Sequence, residues 1–162
     1  MRIGVLSDTH IPDRAKTLPA PVLEVLRDCG MIIHAGDFCV PAVLDELRRL
    51  APVHAVYGNM DAPELKMALP RRLVVEIEGA RIGIVHGDSS SFPARTVARR
   101  TFAADGVACV IYGHSHLPER TWEGGVLYLN PGSPTDPRRA MRCSFGILTI
   151  EGGRIDAELH HL

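Results

Sequence analysis

Apolar runs of strand length recur along the chain, and several stop abruptly at Asp, His or Asn beside a glycine. Arg2 to Leu6 leads into Ser7-Asp8-Thr9-His10, Met31 to Ile33 into His34-Ala35-Gly36-Asp37, and Val53 to Tyr57 into Gly58-Asn59-Met60-Asp61. Runs this short, closed by turn residues, predict strands. Between them, Ala20 to Cys29, with Gly30 as its stop, predicts a helix. Pro41 to Leu50 predicts another, with Pro in its first turn and Val43, Leu44 and Leu47 on one face. Strand, helix, strand, helix, strand implies parallel βαβ units, in which ligands bind beyond the carboxyl ends of the strands.

The second half is richer in strands. Leu73 to Ile77 and Arg81 to Val85 predict a hairpin that turns at Gly79, and its second strand runs into His86-Gly87-Asp88. Ala94, Val97, Ala98 and Phe102 repeat at helical spacing, which places Arg95, Arg99 and Arg100 on the solvated face of that helix. Ala108 to Tyr112 leads into Gly113-His114-Ser115-His116. Further strands are predicted at Gly125 to Leu129, Phe145 to Ile150 and Arg154 to Leu159, with Gly152-Gly153 turning the last hairpin. No repeat, linker or low-complexity tract interrupts residues 1–162. The expectation is one α/β domain, a sandwich of two mixed sheets packed face to face with helices on the outer faces.

Composition narrows the function. With 162 residues, 46% hydrophobic and 23% charged, the chain is long enough and apolar enough to bury an ordinary globular core. A net charge of −1 removes the electrostatic case for general nucleic-acid binding. The apolar run after Met1 is broken at Ser7 and Asp8, too early for a secretory h-region or a membrane span, so a cytoplasmic location is expected. Cys29, Cys39, Cys109 and Cys143 are scattered without a C-x-x-C pair, which predicts reduced and mostly buried thiols. Exposed strand edges in the C-terminal half offer a route to a homo-oligomer.

The polar strand ends carry the chemistry. Asp8-x-His10 pairs a carboxylate and an imidazole two residues apart, which in extended chain point the same way and can converge on one ion; His114-x-His116 repeats this with two imidazoles. Asp37 adds a carboxylate whose two oxygens can bridge a pair of ions, and Asn59 and His86 add neutral O and N donors. Any one of these residues is unremarkable beside a strand, whereas all of them at five strand ends point to a metal centre. Two divalent ions roughly 3.5–4 Å apart suit phosphate-ester hydrolysis, clamping the attacking and departing oxygens. Only Asp8 and Asp37 are anionic, so the cluster would stay electropositive, attract a phosphate and make hydroxide available near neutrality.

The ordered set Asp8-x-His10, Gly36-Asp37, Gly58-Asn59-x-Asp61, His86-Gly87 and Gly113-His114-x-His116 resembles the calcineurin-like metallophosphoesterase family, in particular its small bacterial and archaeal phosphodiesterases. The resemblance spans nearly the whole chain. It implies a four-layer α/β/β/α sandwich and hydrolysis of a small phosphate ester, a diester in preference to a monoester, by a metal-bridging hydroxide. It implies that Asp8, His10, Asp37 and His116 hold one ion and that Asp37, Asn59, His86 and His114 hold the other, with Asp37 bridging. Asn59, Asp61 and His114 are the candidate catalytic residues, Asp61 as an orienting group. The all-N/O set suits manganese first, and also iron, zinc, cobalt or nickel.

The sequence departs from the family pattern twice. Met60 stands where many relatives have a histidine thought to assist the leaving group, so leaving groups of low pKa should depart best. Asp88 stands where related phosphodiesterases often have histidine, which bears on substrate contacts more than on metal binding. Four histidines stay outside the candidate set: His34, expected to support the site from the strand, His54, and the terminal His160 and His161. Ser89-Ser90-Ser91 and Asn130-Pro131-Gly132-Ser133 have the composition of ordinary connections, although the second resembles a segment the family places near its site. The competing function is a non-catalytic scaffold on the same fold, for which the retromer subunit is a precedent. A nuclease subunit fits less well without a basic excess.

Overall fold

The computed structural model describes all of residues 1–162. Three strands, β1 (Arg2–Leu6), β2 (Met31–His34) and β3 (Val53–Ala55), pair in parallel, with Leu6 opposite His34 and His34 opposite Ala55. The crossovers are α1 (Ala20–Arg27) and α2 (Pro41–Arg48), and a third helix, α3 (Pro63–Ala68), follows β3. The second sheet starts from the hairpin of β4 (Arg72–Ile77) and β5 (Ala80–Val85). After α4 (Ala94–Thr101) come β6 (Cys109–Ile111), β7 (Glu119–Glu123) and β8 (Val126–Asn130); β5, β6 and β8 are parallel and β7 runs antiparallel to β8. The chain then returns to the first sheet through β9 (Ser144–Glu151), antiparallel to β1, and β10 (Arg154–His161). The two five-stranded sheets have the orders β10-β9-β1-β2-β3 and β4-β5-β6-β8-β7.

Strand alternation builds the layers. Ile3 and Val5 of β1, Ile33 of β2 and Leu148 and Ile150 of β9 face Ile82, Ile84, Ile111 and Leu129 of the other sheet in one apolar cluster. The opposite face of the first sheet, including Leu6, Ile32 and Ile147, packs on Val22, Leu26, Leu44, Leu47 and Leu65 of α1, α2 and α3. The second sheet is covered by α4 through Ala94 and Ala98, with Phe102. This is the four-layer sandwich expected from the sequence. No helix is long and apolar enough to cross a membrane.

The differences from the expected elements have local causes. Helix α1 stops at Arg27 because the amides of Asp28 and Cys29 bond back three residues, to Val25 and Leu26. β3 ends at Ala55 because the Tyr57 amide leaves the ladder to bond the Pro70 carbonyl. Two elements were not anticipated: α3 is only six residues long, and β7, with sequence ERTWE, has no apolar run and lies on a sheet edge. β7 also changes the reading of α4. Arg99 and Arg100 are exposed as expected, but Arg95 is half-buried, its guanidinium 2.7 Å from both Glu119 and Glu123 and lying over the Tyr128 ring. All four cysteines are free, and only Cys143 is partly exposed.

Candidate metal centre

The carboxyl ends of β1, β2, β3, β5, β6 and β8 open on one rim, held together by backbone bonds between loops. The amides of Asp8, His10 and Ile11 donate to the carbonyls of Gly36, Asp37 and Phe38, so the loops after β1 and β2 run side by side; the Gly113 amide donates to His86 across the other sheet. The backbone here is not extended. Asp8, His10, Asp37, Cys39, His114 and His116 all have positive φ, between 42° and 79°. The expectation that Asp8 and His10 converge by strand alternation is therefore corrected: left-handed turns, costly for non-glycine residues, aim the side chains inward. Close approach requires glycine at two points. A Cβ on Gly58 would lie 2.1 Å from Asp37 Oδ1, and one on Gly113 would lie 1.8 Å from Ser7 Oγ.

Asp8 is fully buried. Its Oδ2 accepts hydrogen bonds from Ser7 Oγ at 2.7 Å and from the His114 amide at 2.9 Å. Its Oδ1 has no hydrogen-bond donor and faces Nε2 of His116, His10 and His86 at 3.3, 3.8 and 4.0 Å. Asp37 is arranged likewise: Oδ1 accepts from the Met60 amide at 2.8 Å, leaving Oδ2 at 3.2 Å from His86 Nε2 and 3.7 Å from His10 Nε2. The imidazoles are steered from behind. His86 and His116 use Nδ1 to donate to the carbonyls of Ala35 (2.8 Å) and Asp136 (2.5 Å), and His10 Nδ1 lies 3.5 Å from Cys39 Sγ. With the proton on Nδ1 alone, the three Nε2 atoms would present lone pairs to the same space; those of His10 and His116 are 3.2 Å apart. Imidazole nitrogens and carboxylate oxygens gathered this closely could hold a cation.

Donor atoms of Asp8, His10 and His116 lie within 4.8 Å of one another, and so do those of Asp8, Asp37 and His86. Asp8 thus belongs to both groupings. Asn59 is exposed, with Oδ1 3.2 Å from His86 Nε2, and the half-buried His114 sits edge-on to His86 with ring centroids 5.2 Å apart, outside both groupings. Asp61 is buried and does not face the cluster: its oxygens accept from the amides of Asp37, Cys39 and Gly58 at 2.8–3.0 Å, tying the loops after β2 and β3 together.

In the metal-free chain the imidazoles act on the carboxylates as donors and charges. Burial works to raise the Asp8 carboxyl, yet contact with His10 and His116 and the charge of His86 hold it well below the usual range. Burial works to lower His86, but Asp37 and Asp8 together push it up to about 9. His114 is lowered by burial and by His86.

Surrounding residues contribute in ways the sequence showed faintly or not at all. His34 is buried, stacks on Phe38, accepts the Gly36 amide on Nδ1 and faces Thr9 Oγ1 from Nε2, which is the supporting role expected of it. Asn130 bonds the Gly113 carbonyl and Ser115, and Ser133 Oγ donates to the Asp8 carbonyl at 2.7 Å, so this segment is bound into the rim. Ser7, Cys39 and Asp136 had no signal: a serine beside an aspartate is ordinary, and Asp136 acts on His116 through its backbone carbonyl. Asp88 pairs with Arg71 at 3.1 Å, and its charge reaches His114.

The family model of the calcineurin-like phosphoesterase superfamily domain matches residues 1–153. The chain is 42% identical to a probable metallophosphoesterase of Methanothermobacter thermautotrophicus over 98% of its length and 91% of the relative. It is 31% identical to a phosphodiesterase of Methanocaldococcus jannaschii, over 82% of this chain and 83% of the relative. Among solved structures, Vps29 of Entamoeba histolytica complexed with zinc superposes with a TM-score of 0.81 at 27% identity, over 99% of both chains. A structure described as a novel archaeal phosphodiesterase superposes at 0.76, also 27% identical, over 99% of this chain and all of the other.

Proposed function

The chain belongs to the calcineurin-like phosphoesterase superfamily, and from that premise we propose that residues 1–162 form one domain that hydrolyses a small organic phosphodiester with two divalent ions. The observation that carries the reading is Asp8 Oδ1, a buried anionic oxygen with no donor, faced by three imidazole nitrogens. Leaving such an atom bare is costly, and a cation relieves it. Asp8, His10, Asp37 and His116 would hold one ion and Asp37, Asn59, His86 and His114 the other, with Asp37 Oδ2 between His10 and His86 as the shared donor. Manganese is the first candidate among the ions this N/O set accepts. Bound there, two ions supply charge that stabilises the phosphoryl oxygens of the transition state and lower the pKa of water enough to give hydroxide near neutrality.

The chain's own residues do the rest. Asp61 acts through others, fixing the amides of Gly58, Asp37 and Cys39 and with them the loops that present Asp37 and Asn59. His114 stays neutral near pH 7 and presents a lone pair rather than a charge. Met60 contributes its amide to Asp37 and has no side-chain proton for a leaving group, so esters with acidic leaving groups turn over best. The cytoplasm is the compartment this reading favours.

The test is hydrolysis of bis-p-nitrophenyl phosphate and p-nitrophenyl phosphate by metal-stripped protein, titrated with manganese and separately with nickel or zinc. Diester turnover should rise to a plateau near two ions per chain. Two bound ions without turnover would instead favour the non-catalytic reading, which the likeness to Vps29 supports.

A further inference from the structure

Two loops border the half of the rim that carries His10 and His116. The Arg14 amide donates to the His10 carbonyl at 2.8 Å, and the Asp136 carbonyl accepts His116 Nδ1, so one loop is tied to the His10 backbone and the other to the back of the His116 imidazole. The Asp136 carboxylate joins the loops: Oδ2 lies 3.4 Å from Nε of Arg14 and 3.4 Å from Nε of Arg138. Both arginines are engaged through Nε, and no hydrogen bond or ion pair occupies their Nη groups. Arg14 is 60% and Arg138 44% exposed, against 14% for the carboxylate beneath them.

A purely structural role would need only one of these arginines. Two like charges drawn to a single oxygen repel, and an exposed pair adds little stability. Arg138 also adopts a left-handed φ of 47°, a conformation that costs energy and tends to persist where function holds it. Lys16, Arg139 and Arg142 are exposed in the same two loops against one exposed acid, Asp13, so positive charge collects here in a chain whose net charge is −1. Free Nη forks on a fixed base are suited to bidentate recognition of phosphate oxygens.

We propose that Arg14 and Arg138 form an anion-binding subsite beside the metal centre, and that the substrate is a phosphodiester carrying a second phosphate which this fork receives while the ester phosphate occupies the centre. The proposal rests on the phosphodiesterase reading above.

The test compares two chromogenic diesters that differ by one phosphate: thymidine 5′-(p-nitrophenyl phosphate) and its 3′-phosphorylated form. Manganese-loaded protein should prefer the 3′-phosphorylated ester by about tenfold or more in kcat/KM, chiefly through KM. The double substitution Arg14→Ala, Arg138→Ala should erase that preference, and Arg→Lys at both positions should restore part of it through charge alone. Calorimetry supplies a readout apart from turnover: thymidine 3′,5′-bisphosphate should bind more tightly than thymidine 5′-monophosphate to the wild type and equally to the double variant. Equal loss on both esters would assign the arginines to steadying the Asp136 loop and overturn the subsite, as would a wild type without preference. Turnover of neither ester would sink the phosphodiesterase reading instead, and the calorimetric comparison would still decide the subsite.

Discussion

Between the sheets, Ile33, Ile82, Ile111 and Leu148 are fully buried in one apolar cluster, whereas at the carboxyl ends of the strands the buried groups are Asp8, His34, Asp37, His86 and His116. The first region consists of apolar side chains on regular strands. The second has carboxylates facing imidazoles, left-handed backbone at Asp8, His10, Asp37, His114 and His116, and a carboxylate oxygen without a donor. The contrast shows a division of labour. Strain and buried charge of the kind seen at the rim oppose folding, and they persist because an apolar core pins the strand ends that carry them.

Substitutions can be aimed at each side of that division. The largest effect should come from Gly58→Ala, whose Cβ would lie 2.1 Å from Asp37 Oδ1 and 2.7 Å from the Asp37 amide nitrogen: diester turnover should fall on the order of 10²–10³-fold, the scale of losing one transition-state donor, and because backbone must shift the metal-free protein should also lose about 1–3 kcal/mol of stability. Ile111→Ala should leave the site intact. It should cost about 2–5 kcal/mol in denaturant unfolding, yet the folded variant should still bind the wild-type number of ions; a fall in stoichiometry would show that core and rim are not separable.

A further effect should be in pH dependence, read at His34. Burial holds its folded pKa at about 3, against 6.5 for an ordinary imidazole. Below pH 6.5 the unfolded chain therefore takes up a proton that the folded chain refuses, and stability is lost as pH falls toward 3. Metal-free His34→Gln should lose less stability than metal-free wild type over that interval, measured by urea unfolding at matched pH. Parallel curves would mean that His34 is not held neutral.

Much of this contrast could be read from the order of residues. Strand ends such as Leu6-Ser7-Asp8 and Val85-His86-Gly87 announce themselves because an apolar run stops at a polar group, and the structure does bring these ends to one rim. Element type was legible wherever one face is apolar. It was not legible for β7, an edge strand whose Glu119 and Glu123 serve Arg95 rather than the core, nor for α3, which is too short for a period to show. The reason given for Asp8 and His10 converging failed because local periodicity assumes an extended chain, and backbone bonds from their own amides to the carbonyls of Gly36 and Asp37 hold this one in turns. Groups that act through space, such as the Asp136 carbonyl behind His116 or the Cys39 thiol behind His10, leave no local pattern to read.

The bare Oδ1 of Asp8 bears on the lifetime of the protein as well as on its chemistry. An ion that binds the folded chain and not the unfolded one shifts the balance toward the folded form by an amount that grows with the logarithm of free ion concentration. Proteases remove the unfolded fraction. If the centre holds the proposed ions, the quantity of this protein in a cell should follow its metal supply, and starvation for the ion should deplete the polypeptide along with its activity.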